Sequence, residues 1–271
     1  MILDTELFRT AYVPNWYEQL DHLAHLTLPE PWRFKEADPV RKNIRTPILE
    51  KYIHAVYKAQ VLDYLNTTNP AQKDAAIYVR SEYAVFSTGL MSKYYKPLYG
   101  LLERNKRVGN MYDWIFTGFS DDSTAPLKFI HPLPTRPFFA LQQGITPYMS
   151  HLSIRVNVEH ILCDGENVMR LPEWCREHKN LSLLLETAVE TTRRITEVMP
   201  SVVVPQIYQG RVQYLMPIAL TDPARPDLAM AMTPMDGYYL GATCLTLEMA
   251  YTNARLLAAP TVSWLTNLVE L

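Results

Sequence analysis

The sequence predicts an α+β protein, a mostly antiparallel sheet with flanking helices in one compact domain. Three observations carry that prediction. Two long segments, "ILEKYIHAVYKAQVLDYL" from Ile48 and "LSLLLETAVETTRRITEVM" from Leu181, repeat apolar residues at helical spacing. Several others, among them "AAIYVRSEYAVFSTG" and "RVQYLMPIAL", have the period-two or β-branched character of strands. The order is a helix, several strands, a helix, a meander and a final helix, a segregated arrangement that defines the α+β class.

Residues 1–46 read as an irregular wrapping arm, because Pro29, Pro31 and Pro39 interrupt short apolar anchors and remove backbone donors. The domain proper then runs from residue 47 to 271. Pro47 suits a first helical position, and Leu49, Tyr52, Ile53, Val56 and Gln60 follow at helical spacing until "NTTNP" closes the helix. From Ile77 to Phe86 the side chains alternate, so a strand is expected there, ending at Gly89. "LMSKYYKPLYGLLERN" is expected to be a bent helical stretch broken at Pro97, and "MYDWIFTGF" a further strand. The proline-rich passage from Thr124 to Met149 reads as a loop packed by its own aromatics. "LSIRVNVEHI" alternates again and reads as a strand ending at His160. Near the C-terminus, "SVVVPQIY" and "RVQYLMPIAL" flank Gln209-Gly210 as a hairpin. "PDLAMAMT" and "YYLGATCLT" form a second one, and "LEMAYTNARLLAA" is a last helix stopped by Pro260.

Composition excludes several function classes. The net charge of −2 lacks the basic footprint of a dedicated DNA-binding domain. No apolar run approaches the roughly 20 residues that cross a bilayer, so no membrane is expected. The acidic start, with Asp4 and Glu6, does not resemble a signal peptide. Three cysteines make no disulfide framework. Together these features point to the cytoplasm. With only 9 glycines and neither a G-x-G-x-x-G nor a G-x-x-x-x-G-K-[ST] motif, no phosphate-cradling loop and no cofactor are expected. The nucleophile-elbow pattern G-x-S-x-G is also missing.

"FSTGL" from Phe86, "VEHILCD" from Val158, "VPQIYQGRVQYLMPIAL" from Val204, "PDLAMAM" and "YYLGATCLTLEMAYTNARL" from Tyr238 occur in that order, with Pro260 to Leu265 closing the series. Over about residues 30 to 266 the chain resembles a bacterial and fungal domain family of unknown function, often found next to cold-shock or other RNA-binding modules. The resemblance implies RNA-linked work and no particular reaction. The family pattern carries Asn where Ser87 stands and Asp where Glu159 and Glu248 stand. It includes His160, but not Cys163, Cys175 or His178.

His160, Cys163, Cys175 and His178 have the H-x2-C…C-x2-H spacing of a tetrahedral zinc site. Such a pattern arises easily by accident, and a buried Cys163 with a surface His178 is the favoured reading, with no metal. His160 beside Glu159 and Asp164 suits a general acid or base. On the final helix, Glu248, Tyr251, Thr252 and Arg255 share one face, and Asn253 falls among apolar neighbours where it must find partners. The expected site joins the catalytic pair His160 and Glu248 to the ligand-binding set Gln206, Tyr239, Asn253 and Arg255. There Arg255 would take a phosphate-bearing group of a nucleotide or RNA, processed by a phosphoesterase reaction if the site is catalytic. Gln213 and Thr243 would complete a polar wall, with Arg80 a weaker candidate. The rival reading is a non-catalytic interaction module, presenting Phe138 and Phe139 to a protein or single-stranded RNA. A protein partner or a second copy of the chain stays open.

Overall fold

The computed structural model describes residues 3–36, 44–107, 111–136 and 145–270. The class is α+β with mostly antiparallel pairing. The strands do not form one sheet: the chain gathers into two compact units, residues 1–139 with 269–271, and residues 140–268.

In the first unit, α1 (Leu7–Thr10), β1 (Ala11–Tyr12), α2 (Trp16–Leu26) and β2 (Arg33–Phe34) precede α3 (Pro47–Asn66). The segment read as an irregular arm therefore contains a three-turn helix. Trp16, Leu20 and Leu23 recur at i, i+4 and i+7 and are buried, which outweighs the prolines that lie beyond the helix. After α4 (Pro70–Ala76) come β3 (Tyr78–Val79), β4 (Tyr83–Met91), β5 (Pro97–Arg104) and β6 (Trp114–Asp121). They form a five-stranded sheet in the order β1-β6-β5-β4-β3, antiparallel except for the β1–β6 pair.

The expected helix over "LMSKYYKPLYGLLERN" is instead the end of β4, a tight turn and β5. Leu98 to Leu102 are all buried, and a central strand buried on both faces shows no period-two signal to tell it from a helix. The Phe86 ring lies where a side chain on Gly100 would stand, its Cζ 2.2 Å from the position of a Cβ there. Gln60, buried on α3, acts as an extra strand edge: its Nε2 donates to the Ser87 carbonyl at 2.8 Å and its Oε1 accepts from the Ser87 N–H at 2.9 Å.

In the second unit, β7 (Ser153–Val156) is followed by α5 (Val158–Cys163), α6 (Gly165–Arg170) and α7 (Leu181–Val198). The hairpins β8 (Val204–Tyr208) with β9 (Arg211–Ile218) and β10 (Leu228–Met235) with β11 (Tyr238–Leu245) form where expected. The chain closes with α8 (Leu247–Arg255), α9 (Ser263–Thr266) and β12 (Val269–Glu270); β12 pairs with β2 in the first unit. Sheet order is β7-β11-β10-β9-β8, with β7 parallel to β11. The strand expected to run to His160 ends at Val156. The Asn157 side chain accepts the His160 N–H at 3.1 Å and starts a helix there.

One face of this sheet carries Tyr214, Met216, Ile218, Met230, Met232, Tyr239 and Cys244, packed in one core with Leu181, Leu185 and Val189 of α7. Adjacent strand residues point to opposite faces, so Gln213, Ala231 and Thr233 lie on the other side, where α8 packs.

Candidate functional site

The second unit holds a cleft of about 390 Å³ on that other face, roofed by α8 and walled by α5 and α6. A larger groove of about 790 Å³ runs along the outside of α7, but it is shallow, and among its charged residues Glu190 and Arg194 are engaged in ion pairs of the helix surface. Convergence of polar groups, rather than size, marks the first as the candidate.

Its floor is a row of side-chain amides. The Asn253 Nδ2 donates to Gln206 Oε1 at 2.9 Å, the Gln206 Nε2 to Gln213 Oε1 at 2.9 Å, and the Gln213 Nε2 to Thr233 Oγ1 at 2.9 Å. Strand register explains the row: Gln206 lies opposite Gln213 across the β8–β9 hairpin, and Asn253 descends from α8 onto Gln206. Only 1% of Gln206 is exposed, and both halves of its amide are used. Every donor in the row points the same way, and a run of aligned bonds is stiffer than isolated ones. Asn253 thereby finds the partner that its apolar surroundings demanded.

The wall opposite is built by two caps. Asn157 caps α5, and Asp164 Oδ1 accepts the Asn167 N–H at 3.1 Å to start α6. Asn167, 3% exposed, donates its Nδ2 to the His160 carbonyl at 3.2 Å and so ties the two helices together. Its Oδ1 accepts from Arg170 Nη1 at 3.0 Å, while Arg170 Nη2 meets Glu166 Oε2 at 3.4 Å. Arg170 is thus a half-buried cation held at the cleft, its side chain 24% exposed.

Of the residues expected at the site, His160, Gln206 and Asn253 line the cleft, with Gln213 and Thr243. Tyr239, Glu248 and Arg255 do not. Tyr239 belongs to the α7 core, where its hydroxyl accepts the Met149 N–H at 3.0 Å and its ring meets Tyr148 and Tyr214; burial pushes its pKa up. The separation of Tyr239 from Thr243 has a specific cause. Met232 pairs with Gly241 but Ala231 pairs with Thr243, so Ala242 is an extra residue, and this β-bulge exchanges the faces beyond it. Tyr239 therefore points to the core and Thr243 to the cleft.

Helix α8 is buried on its polar side as well: Tyr251, Thr252 and Arg255 are 1%, 7% and 6% exposed. Arg255 is within the fold rather than in solvent, yet the side chains that α8 sends into the cleft are Met249 and Asn253. Glu248 is half-buried and its carbonyl accepts from Thr252 Oγ1 at 2.8 Å. His160 is exposed at the rim, and among the described residues no side chain hydrogen-bonds its ring. Arg80 is in the first unit, in a two-pronged ion pair with Asp74.

The four residues with zinc-like spacing do not converge. Cys163 is exposed, while Cys175 is buried and donates to the Pro172 carbonyl at 3.1 Å; His178 Nδ1 accepts the Asn180 N–H at 3.2 Å. The favoured assignment of a buried Cys163 is corrected, since the last residue of α5 faces outward. Among the described residues no group of three or more His, Cys, Asp or Glu side chains could hold a metal ion. No described helix is long and apolar enough to cross a membrane. Phe138 and Phe139 lie outside the described residues.

Arg170, Asn167 and Thr233 are among the cleft residues that sequence reasoning passed over. Arg170 and Asn167 are on a helix of six residues, too short to show an amphipathic period. An available signal was Asp164, a capping residue three positions before Asn167.

A family model described as a domain of unknown function, DUF3825, matches residues 23–264, nearly the whole chain. The chain belongs to this family. The DUF3825 match spans both compact units, so the cleft and the unit before it fall within one family domain. No curated protein and no solved structure matches the chain.

Proposed function

We propose that the cleft binds a phosphate-bearing nucleotide, free or at the end of an RNA, with the base against the amide row and the phosphate towards Arg170. The amide row carries this reading. Asn and Gln side chains match the alternating donors and acceptors on the edge of a nucleobase, and a fixed row offers them without an ordering cost. The Asn253 Oδ1 and the Thr233 hydroxyl hydrogen are the two ends of the row that take no further partner among the described residues.

Arg170 supplies the anion contact first assigned to Arg255, because its guanidinium borders the cleft and has donors beyond the two in use. Asp164 and Glu166 stand on the same wall, so carboxylates outnumber the arginine there. That balance favours recognition led by the neutral base, with the phosphate secondary. His160 at the rim is the group placed to move a proton if the bound phosphoester is cleaved, a role open to an imidazole near neutral pH.

Calorimetric titration with the four common ribonucleoside monophosphates tests the reading. The expected result is saturable binding with a preference among bases, weakened about tenfold or more by Gln213→Ala and by Arg170→Ala. Absence of binding by all four nucleotides refutes it. If one binds, turnover of a phosphodiester by the native protein and its loss in His160→Ala would establish the catalytic version.

A further inference from the structure

The turn between β4 and β5, "SKYYKP" from Ser92 to Pro97, sets two adjacent exposed aromatics between two lysines. Tyr94 and Tyr95 are 83% and 73% exposed, side by side at its tip. Lys93 and Lys96 flank them, and the six residues contain no acid. Asp121 lies close enough to Lys96 to feel its charge.

The turn is tightly tied beneath its tip. Buried Ser92 donates its N–H to the Lys96 carbonyl at 2.8 Å and accepts the Tyr95 N–H on its own carbonyl at 2.9 Å. Its hydroxyl oxygen accepts the N–H groups of Tyr94 and Lys96 at 3.3 and 3.2 Å. Lys93 donates its N–H to the Leu26 carbonyl at 3.0 Å, anchoring the turn to the end of α2. Tyr95 has φ of 59°, the left-handed region that a bulky side chain rarely adopts and where Asn or Gly would be at ease. A rigid turn that accepts strain in order to present two aromatic faces to water is poorly explained by folding alone, since neither ring is buried by the fold.

We infer that this turn is a stacking platform for single-stranded nucleic acid. Unpaired bases stack on the faces of Tyr94 and Tyr95 while Lys93 and Lys96 meet the adjoining phosphates, the combination of ring and cation by which unpaired strands are held without base-specific contacts. The absence of a Leu, Phe or Trp at the tip disfavours insertion into a lipid surface. The inference concerns the first unit and does not depend on what the cleft of the second unit binds.

The test uses the whole chain and fluorescence anisotropy of labelled U12 and dT12 oligonucleotides. Expected are binding to both and a loss of about tenfold or more in affinity for Tyr94→Ala. The plot of log affinity against log salt should have a slope of about −1.4, the value for two phosphates neutralised on a single strand. The Tyr95→Gly variant separates display from architecture, because glycine keeps the left-handed turn and removes the ring. It should bind at least tenfold more weakly with its melting temperature unchanged or raised. A lowered melting temperature would mean that the ring supports the fold, and the inference would fall. It would equally fall if the native protein bound neither oligonucleotide, or if it sedimented with anionic phosphatidylserine vesicles while ignoring both.

Discussion

Replacing Gln206 by leucine should expose how much the amide row contributes. The side chain is almost wholly buried, so the substitution removes two hydrogen bonds of 2.9 Å, one accepted from Asn253 and one donated to Gln213. At a net ~0.5–1.5 kcal/mol each, the two bonds together account for about 1–3 kcal/mol. The stranded Asn253 donor and Gln213 acceptor are half-buried, so water at the cleft mouth reaches them and each costs only the low end of the penalty, about 1 kcal/mol. Leucine recovers roughly 1–2 kcal/mol by burying its own apolar surface. The expected net loss is therefore about 1–4 kcal/mol, read as a lower urea midpoint at an unchanged slope. Because the bonds are consecutive, Asn253→Ala should cost about 1 kcal/mol less in the Gln206→Leu background than in the native protein. A Gln206→Leu loss under about 1 kcal/mol, or strict additivity of the two substitutions, would show that the amides are separately satisfied by water and that no fixed row exists.

Three further outcomes follow from the geometry. His54 is enclosed by Phe8 and Trp16, with ring centroids 5.2 and 5.4 Å away, and burial holds its pKa below the ordinary 6.5 against the opposing pull of Glu50 and Glu6. Between the lowered folded value and 6.5 the unfolded chain binds more protons, so His54 should erode stability as pH falls below about 6.5; the drop in melting temperature from pH 7.5 to 5.5 should be smaller in His54→Gln. Gly100→Ala would drive a methyl group into the Phe86 ring, which Tyr57, Phe116 and Phe119 enclose, and a loss of at least about 1–3 kcal/mol is expected in urea unfolding. A chromogenic disulfide reagent should titrate one thiol rapidly, that of exposed Cys163. The other two should react only on unfolding, since burial raises the pKa of Cys175 and pushes that of Cys244 up to about 12.

Much of the fold was legible because it depends on local periodicity. Helices α3 and α7 and both C-terminal hairpins have the boundaries that their apolar spacing and turn residues imply. At the site, Gln206, Asn253 and His160 were legible for different reasons: Gln206 and Gln213 flank a two-residue turn and must face each other, while Asn253 was conspicuous among alanines and leucines. Tyr239 and Arg255 were misplaced because assigning them required knowing the sheet faces and the packing on α8. The division into two units was not legible either: its main boundary, at residues 139–140, falls inside the proline-rich passage from Thr124 to Met149, which reads as one loop within a single domain.

By itself the sequence determined the two long helices and both C-terminal hairpins, and it placed a polar set on the last sheet and helix. Those properties are set by spacing and by the conformational limits of neighbouring residues. Only tertiary structure decided which of those polar groups share a cavity. A single inserted residue, Ala242, exchanges the two faces of β11, burying Tyr239 against α7 and turning Thr243 toward the amides. Period two is a rule about neighbours, and one bulge reverses its outcome for every residue that follows.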